Sequence, residues 1–471
     1  MCGWSASYSA CSCCSRLSRA FYPINATKSY TVTIGCNVSS GCNFLSGRRS
    51  YLATIKLVFS NKNITAIALT SSMITLCDGG WRPFWPLYLK DVLGASVWAI
   101  SFLSMLGQSE RLLFQLPGGV IADRFGRRKI IVYGTALRIF TPMLYLWATD
   151  WVTVIPALLL NGVASVYMPA FNAIIADSLP ENQRGAGYGA YRMITSIPRI
   201  FSPIIGGYLF DKMGPAEGFR LFMFFSIFIN AIVTYARYKI ITETLFDEDE
   251  MRDRARMRPP LKEQVLDTMT LGRNVWVMVI VAVLSAFGAR MVFSLVAIYA
   301  QEVIGLSYTQ LGLVTTIGGI ITATLAMPGG MISDRIGRKP IISLSRFLTP
   351  LSMFGITLAS NFPQYIIAQA TNSLSEALGG GGRMGNAGGP AWQALVADLV
   401  PKEKRATVMG TIGTITGVVA APASLAGSWL WNNLGPIWPF RASAVTGLVA
   451  VGLFMVGVKE PPRKKVEKTI P

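Results

Sequence analysis

Asp78, Glu110 and Glu376 stand inside or beside long apolar stretches, as do Arg111, Arg138, Arg192, Arg199, Arg290, Arg346 and Arg383. Ionisable groups in hydrocarbon are costly, so each marks an ion path, a substrate contact or a buried pair. A carboxyl in such a place can take up and release a proton as its surroundings change. A guanidinium can hold an anionic group through a fixed fork of N–H donors. The chemistry these residues offer is proton handling and the binding of a charged solute.

Other chemistry is poorly served. The chain has no histidine, which removes His-based zinc sites, Ser-His-Asp triads and Cys-His pairs. It has no G-x-x-x-x-G-K-[ST] loop, so any pumping is expected to draw on an ion gradient rather than on ATP hydrolysed within the chain. All seven cysteines lie in the first 77 residues, and the Cys11, Cys13, Cys14 cluster has no second ligand pair at finger-like spacing. No metal, cofactor or enzymatic activity is expected.

The elements that position these groups follow from composition. Of 471 residues, 52% are hydrophobic and only 14% charged, with a mean hydropathy of +0.45. A soluble domain could not hide so much apolar surface, which points to a multi-span membrane protein. The net charge of +19 would suggest nucleic acid in a soluble protein; here it suits loops facing anionic lipid, and no nucleic-acid partner is expected. Apolar runs long enough to cross a bilayer as helix fall at 64–89, 97–121, 130–149, 153–176, 187–210, 218–241, 275–299, 308–332, 340–360, 364–397, 407–431 and 438–458. Lys and Arg crowd the connections after even-numbered spans and the C-terminal tail. That asymmetry predicts both termini on the cytoplasmic side of a multi-pass protein, with the plasma membrane as the expected location.

The expected organisation is an N-terminal cytoplasmic tail at 1–62, a six-helix bundle at 63–242, a charged linker at 243–274, a second bundle at 275–460 and a basic tail at 461–471. The tail is expected to be disordered. The segment Glu376–Pro390 holds seven glycines. Two readings fit it: a broken helix whose backbone N–H groups line a cavity, or a glycine-lined packing face with a longer external loop.

The two bundles repeat one another. Leu116–Ile131 (LPGGVIADRFGRRKII) recurs as Met327–Ile342 (MPGGMISDRIGRKPII), and Pro169–Asp177 recurs as Pro390–Asp398. The repeated piece resembles the loop signature of the major facilitator superfamily, and the resemblance covers about residues 64–460. It implies an all-α membrane protein with twelve transmembrane helices in two six-helix pseudo-symmetric bundles, around a central cavity with alternating access. It implies a cytoplasmic gate made of Gly119, Asp123, Arg124, Gly126 and Arg127, and of Gly330, Asp334, Arg335, Gly337 and Arg338. Asp123 is expected at the N-terminus of span 11 near Thr407 and Asp334 at that of span 5 near Gly185, but only while the cytoplasmic side is closed. Arg127 and Arg338 are expected to bridge to Asp177 and Asp398. The same residues also suit a plain topology signal. Gly189, Pro203, Gly206 and Gly207 on span 5 resemble the glycine-and-proline pattern of the superfamily's drug–proton antiporters, whereas Pro198 and Ser202 stand where glycines are expected.

Charges that break the repeat are the better functional candidates, because structural contacts tend to follow it. Asp78 aligns with Ala289, Glu110 with Ile321 and Arg111 with Thr322, while Arg138 and Arg346 align with each other. Asp78 and Glu110 are expected to carry the coupling proton. Asp78 and Arg290, on spans 1 and 7, are expected either to pair in one state and part in another, or to stay paired. Arg111, Arg199, Arg290, Glu376 and Arg383 are the candidate substrate contacts. The expected function is secondary active transport of a small organic solute, as proton-coupled export by a monomer in the lipid bilayer. The alternatives are proton-coupled uptake of an organic anion and a non-transporting sensor on a transporter fold.

Overall fold

The computed structural model describes residues 61–179, 184–243, 273–379, 390–400 and 405–458. All regular structure in these residues is helical. The N-terminal tail, most of the linker, the C-terminal tail and Arg383 lie outside the described residues.

The helices fall into twelve successive segments. Span 1 is Lys62–Trp81 and Trp85–Asp91, span 2 Val97–Phe125, span 3 Arg127–Trp147, span 4 Ile155–Ala164 and Met168–Asp177, span 5 Arg184–Met213 and span 6 Pro215–Ile240. Span 7 is Arg273–Phe293 and Leu295–Glu302, span 8 Tyr308–Ile336 and span 9 Arg338–Leu358. Span 10 is Phe362–Leu378 and Pro390–Leu399, span 11 Arg405–Ala420 and Ala423–Leu434, and span 12 Trp438–Gly457. Nine of the described helical segments are long and apolar enough to cross a membrane. Spans 1, 2 and 10 fall outside that set; span 2 carries Glu110 and Arg111 mid-length.

The interruptions have local causes. Asn61 starts span 1 by accepting the N–H groups of Asn63 and Ile64 at 3.0 and 3.4 Å. Pro83 and Pro86 lack donors, and the chain passes through a 3-10 turn at Arg82–Phe84 between the two helices. In span 10 the first helix ends at Leu378 because Gly379 takes φ 101°, a left-handed value suited to glycine. Residues 380–389, on which the two readings of this segment turn, lie outside the described residues.

Spans 2 and 8 run four residues beyond their expected ends, to Phe125 and Ile336. Asp123 and Asp334 thus sit in the last helical turn and not in a loop. The connection to the next span is a single residue, Gly126 at φ 88° or Gly337 at φ 127°. A β-carbon would be strained at either, which accounts for the glycine in both copies of the signature.

Three buried cores show how the halves meet. One combines residues of both halves, including Trp81, Phe84, Leu103 and Phe210 with Leu295, Tyr299, Tyr308 and Trp431. The other two are each confined to one half: Ile64, Ile131, Tyr167, Ile174 and Ile241 in the first, and Met278, Ile342, Trp392, Val408 and Phe454 in the second. The shared core lies toward the end opposite the repeated loops. The separate cores lie toward the loop end, so the halves are joined at one end and parted at the other.

Candidate functional site

Spans 5 and 8 make the most extensive helix pairing among the described residues, and it changes character along its length. Toward the end away from the loops, the backbone of Gly207 lies so close to span 8 that an added β-carbon would fall 2.7 Å from the Tyr308 carbonyl carbon. A β-carbon on Gly312 would fall 3.0 Å from Ile204 Cα, and one on Gly319 would fall 3.1 Å from Ile200 Cγ1. At the loop end, β-carbons on Gly189 or Gly330 would meet nothing within 4 Å among the described residues. Met193, Ile197, Met327 and Met331 are exposed there. Span 11 behaves alike, with open space at Gly410 and Gly413 but contact farther on, where Ser424 Oγ donates to the Ser101 carbonyl at 3.0 Å. The molecule is caught open at the loop end.

The closed end is pinned by polar contacts between the halves. Lys90 pairs with Glu302, and Tyr308 Oη donates to Asp91 Oδ2 at 2.9 Å. Asp211, in the last turn of span 5, accepts the N–H groups of Tyr308 and Thr309 at 3.0 and 2.7 Å. A carboxylate over the N-terminus of span 8 satisfies two orphan donors and complements the helix dipole. Sequence reasoning missed Asp211, although a signal existed. Gly206-Gly207-x-x-x-Asp211-x-x-Gly214 repeats the glycine–aspartate frame of Gly118–Gly126 and Gly329–Gly337 without its cluster of arginines. Gly214 also takes a positive φ, 83°.

At the loop end the gate residues are divided. Arg127 pairs with Asp177, and Arg338 with Asp398; each bridge stays within its own half. Arg338 Nη1 also donates to the Ala394 carbonyl at 2.6 Å. Arg124 stacks on Phe125 at 5.7 Å, and Asp334 and Arg335 are exposed. The side chains of Asp123 and Thr407 and the surroundings of Gly185 lie outside the described residues. Gly118 packs its own half together, with Val166 Cα 3.2 Å from an added β-carbon. Gly329 does the same against the Leu378 backbone at 3.4 Å.

Of the two readings of Asp78 and Arg290, the permanent pair does not fit the state described. Asp78 does not pair with Arg290. Its Oδ2 accepts from Arg138 Nη2 at 2.9 Å, within the N-terminal half. Arg290 donates Nη1 to the Gly417 carbonyl at 2.9 Å, and its Nε meets no acceptor among the described residues. The reason is reach: span 7 presents Arg290 to span 11, while span 3 sets Arg138 beside Asp78. Arg138 also donates Nη1 to Tyr167 Oη at 3.4 Å. Its repeat mate Arg346 donates to Ser285 Oγ at 2.6 Å and lies 4.1 Å over the Trp392 ring.

Glu110 is 3% exposed and packs against Gly162 of span 4, with Asn161 as its hydrogen-bond partner. It has no ion pair among the described residues. Arg192 and Arg199 are exposed on span 5 and Glu376 is half-buried, while the side chain of Arg111 lies outside the described residues. Arg237, at the loop end of span 6, was not foreseen. It is 1% exposed and is held by Thr70, Thr135 and Ser71 hydroxyls at 3.2, 2.8 and 3.4 Å. The rings of Tyr167 and Phe171 lie 5.8 and 5.2 Å away. It was overlooked because it stands at the end of its span, where a cation reads as a topology signal.

The Major Facilitator Superfamily family model matches residues 67–308 and 278–471. The chain belongs to the Major Facilitator Superfamily. It is 22% identical over 407 residues to a Na(+), Li(+), K(+)/H(+) antiporter of Planococcus maritimus, covering 79% of this chain and 91% of the relative. It is 24% identical over 285 residues to the multi-drug resistance efflux pump PmrA of Streptococcus pneumoniae, covering 56% of this chain and 65% of the relative. Its fold is similar to that of the xylose transporter XylE from E. coli, with a TM-score of 0.65 at 16% identity, over 86% of this chain and 98% of that one. The protein is a superfamily transporter with an integral, multi-pass fold.

Proposed function

We propose that this transporter moves a small organic solute by alternating access, exporting it in exchange for protons carried by Asp78 and Glu110. The observation that carries the reading is that both carboxyls stand midway along their spans, in a fold whose described residues are open at one end only. Asp78 lies in an ion pair that protonation would dissolve, and Glu110 is buried without a counter-charge among the described residues. A proton on either changes the balance of buried charge, which is what a gradient needs in order to act on conformation. The names of the antiporter and efflux-pump relatives favour the same direction of transport. On the positive-inside argument the loop end faces the cytoplasm, both termini lie there, and the state described is the inward-facing one. The plasma membrane and a functional monomer complete the reading.

Uptake of an organic anion is the second reading. It is favoured by Arg290, which is buried with the Gly417 carbonyl on its Nη1 and a spare Nε among the described residues, and by the exposed Arg199 on span 5. Reconstitution into liposomes loaded with pyranine separates the two. Ethidium entering against outward proton movement supports export, and benzoate moving together with protons supports uptake. Binding of a probe with no movement of probe or proton would leave a sensor and sink both.

A further inference from the structure

Inside the N-terminal half a chamber of about 40 Å³ is lined by Asp78, Trp81 and Arg82 of span 1 and by Arg138, Thr141 and Tyr145 of span 3. Asn161 of span 4 and Met223, Ser226 and Asn230 of span 6 complete the wall. Three polar atoms on this wall are buried without a partner: Trp81 Nε1, Thr141 Oγ1 and Asn230 Oδ1. A fourth orphan, Glu110 Oε2, belongs to a side chain outside the lining, whose carboxyl carbon lies 3.0 Å from a β-carbon added at Gly162, the residue next to Asn161 of the wall. Buried polar atoms are rarely left unmatched, and one water needs roughly 10–15 Å³ with two to four polar partners. The chamber meets both conditions for two or three waters.

The charges around it are specific. Tyr145, on the chamber wall, feels the charges of Arg82, Glu110, Asp78 and Arg138. From span 1 the groups lining it are Asp78 and Arg82, and from span 3 Arg138 and Tyr145; beside the lining lie Cys77, which donates to the Phe222 carbonyl, Tyr167 in contact with Arg138, and Glu110 of span 2 against Gly162. The span 6 wall offers only neutral groups.

We propose that this chamber holds a hydrogen-bonded water chain through which Glu110 and Asp78 exchange one proton, so that two carboxyls on different spans act as a single proton site. The inference rests on the proton-coupled reading above. Glu110 gives its proton to the first water, each water passes one on, and Asp78 accepts the last; the carboxylate moves from Asp78 to Glu110 and no other reactant is consumed. On accepting the proton Asp78 releases Arg138, which keeps Tyr167 as its neighbour. Asn161 is a positioning residue that holds the Glu110 carboxyl toward the chamber.

Hydroxyl-radical footprinting of the whole protein by a short X-ray pulse tests the chamber, because radicals born from enclosed water oxidise the side chains beside it. Met223 and Tyr145 are expected to be labelled despite their burial, whereas the equally buried Met278, in the loop-end core of the other half, is not. Asn230→Leu, which fills the chamber without touching a charge, is expected to lower the labelling of Met223 and Tyr145 to the Met278 level. In pyranine-loaded liposomes the same variant is expected to lose proton movement driven by ethidium or benzoate. Thr141→Val, which removes one hydroxyl at constant volume, is expected to reduce it in part. Wild-type labelling of Met223 no greater than that of Met278 overturns the chamber. Normal proton movement in a well-folded Asn230→Leu protein overturns the relay. A wild-type protein that is labelled at Met223 but moves no proton with either probe would instead overturn the proton-coupled function and leave the hydrated chamber standing.

Discussion

Asp211 reaches across the two halves and accepts the backbone N–H of Thr309 at 2.7 Å. Its other oxygen takes the N–H of Tyr308 at 3.0 Å, so one carboxylate at the end of span 5 caps span 8. Gly207, one turn earlier, lets the two backbones come close enough for this. The superfamily signature implies the same device for Asp334 and span 5 at the other end of the molecule, where Asp334 is exposed and Gly330 faces open space. One chain thus displays the glycine–aspartate frame docked at one end and undocked at the other. The two ends cannot both be docked if a central cavity is to be reached, so each latch opposes the other.

Asp211→Asn keeps the shape but removes the charge, and is expected to weaken closure of the end away from the loops. A carboxylate at a helix N-terminus contributes about 0.3–1 kcal/mol when exposed and up to about 2 when partly buried, which corresponds to roughly a two- to thirty-fold change in population. Spin labels on the outer ends of spans 5 and 8 would show the added separated population in pulsed distance measurements. An unchanged distance distribution would mean that the latch contributes nothing to closure.

Gly207 and Gly330 hold corresponding places in two copies of the frame but meet different surroundings. A valine at 207 collides with the span 8 backbone, so Gly207→Val is expected to abolish the state described here and hold the distal end open. Gly330→Val meets nothing in this state and is expected to preserve it while blocking closure at the loop end. Both variants should lose transport, trapped on opposite sides. Maleimide labelling of cysteines placed in the cavity, from each face of the membrane, distinguishes the two, and trapping on the same side would overturn the assignment of the gates.

Much of this was legible beforehand, for reasons particular residues make plain. The apolar runs and the repeat of Leu116–Ile131 mark the spans and the fold, because both follow from patterns along one chain. The bridges Arg127–Asp177 and Arg338–Asp398 connect motif residues that the repeat duplicates. The Asp78–Arg138 pair was not legible: its members lie 60 residues apart, and only the rotation of spans 1 and 3 decides that Asp78 meets Arg138 rather than Arg290. Arg237 was hidden by its position at a span end, and its partners are hydroxyls, which leave no charge pattern. Asp211 was hidden because its frame lacks the flanking arginines that make the other copies conspicuous.

Arg237 supplies a prediction about stability alone. Its guanidinium meets three hydroxyls from spans 1 and 3, and the fork that does so has no equivalent in an ammonium. Arg237→Lys is expected to lower the thermal unfolding midpoint in detergent while leaving proton movement per folded molecule unchanged. A loss of driven proton movement at full stability would instead place Arg237 in the transport cycle.

Asp78→Asn separates the two roles of the ion pair. Removing one partner leaves Arg138 charged and largely buried, and breaking a buried pair in this way costs about 3–5 kcal/mol, less where water reaches the survivor. The variant is therefore expected to be less stable and to lose gradient-driven flux while still exchanging solute at equal concentrations on both sides. Replacing both partners, as Asp78→Leu with Arg138→Met, removes the stranded charge and is expected to recover stability without recovering driven flux. That outcome would assign the pair to coupling. Recovery of both would make it a packing element, and the proton would then have to be carried by Glu110 alone. Unfolding midpoints and pyranine traces on the same preparations read the two quantities side by side.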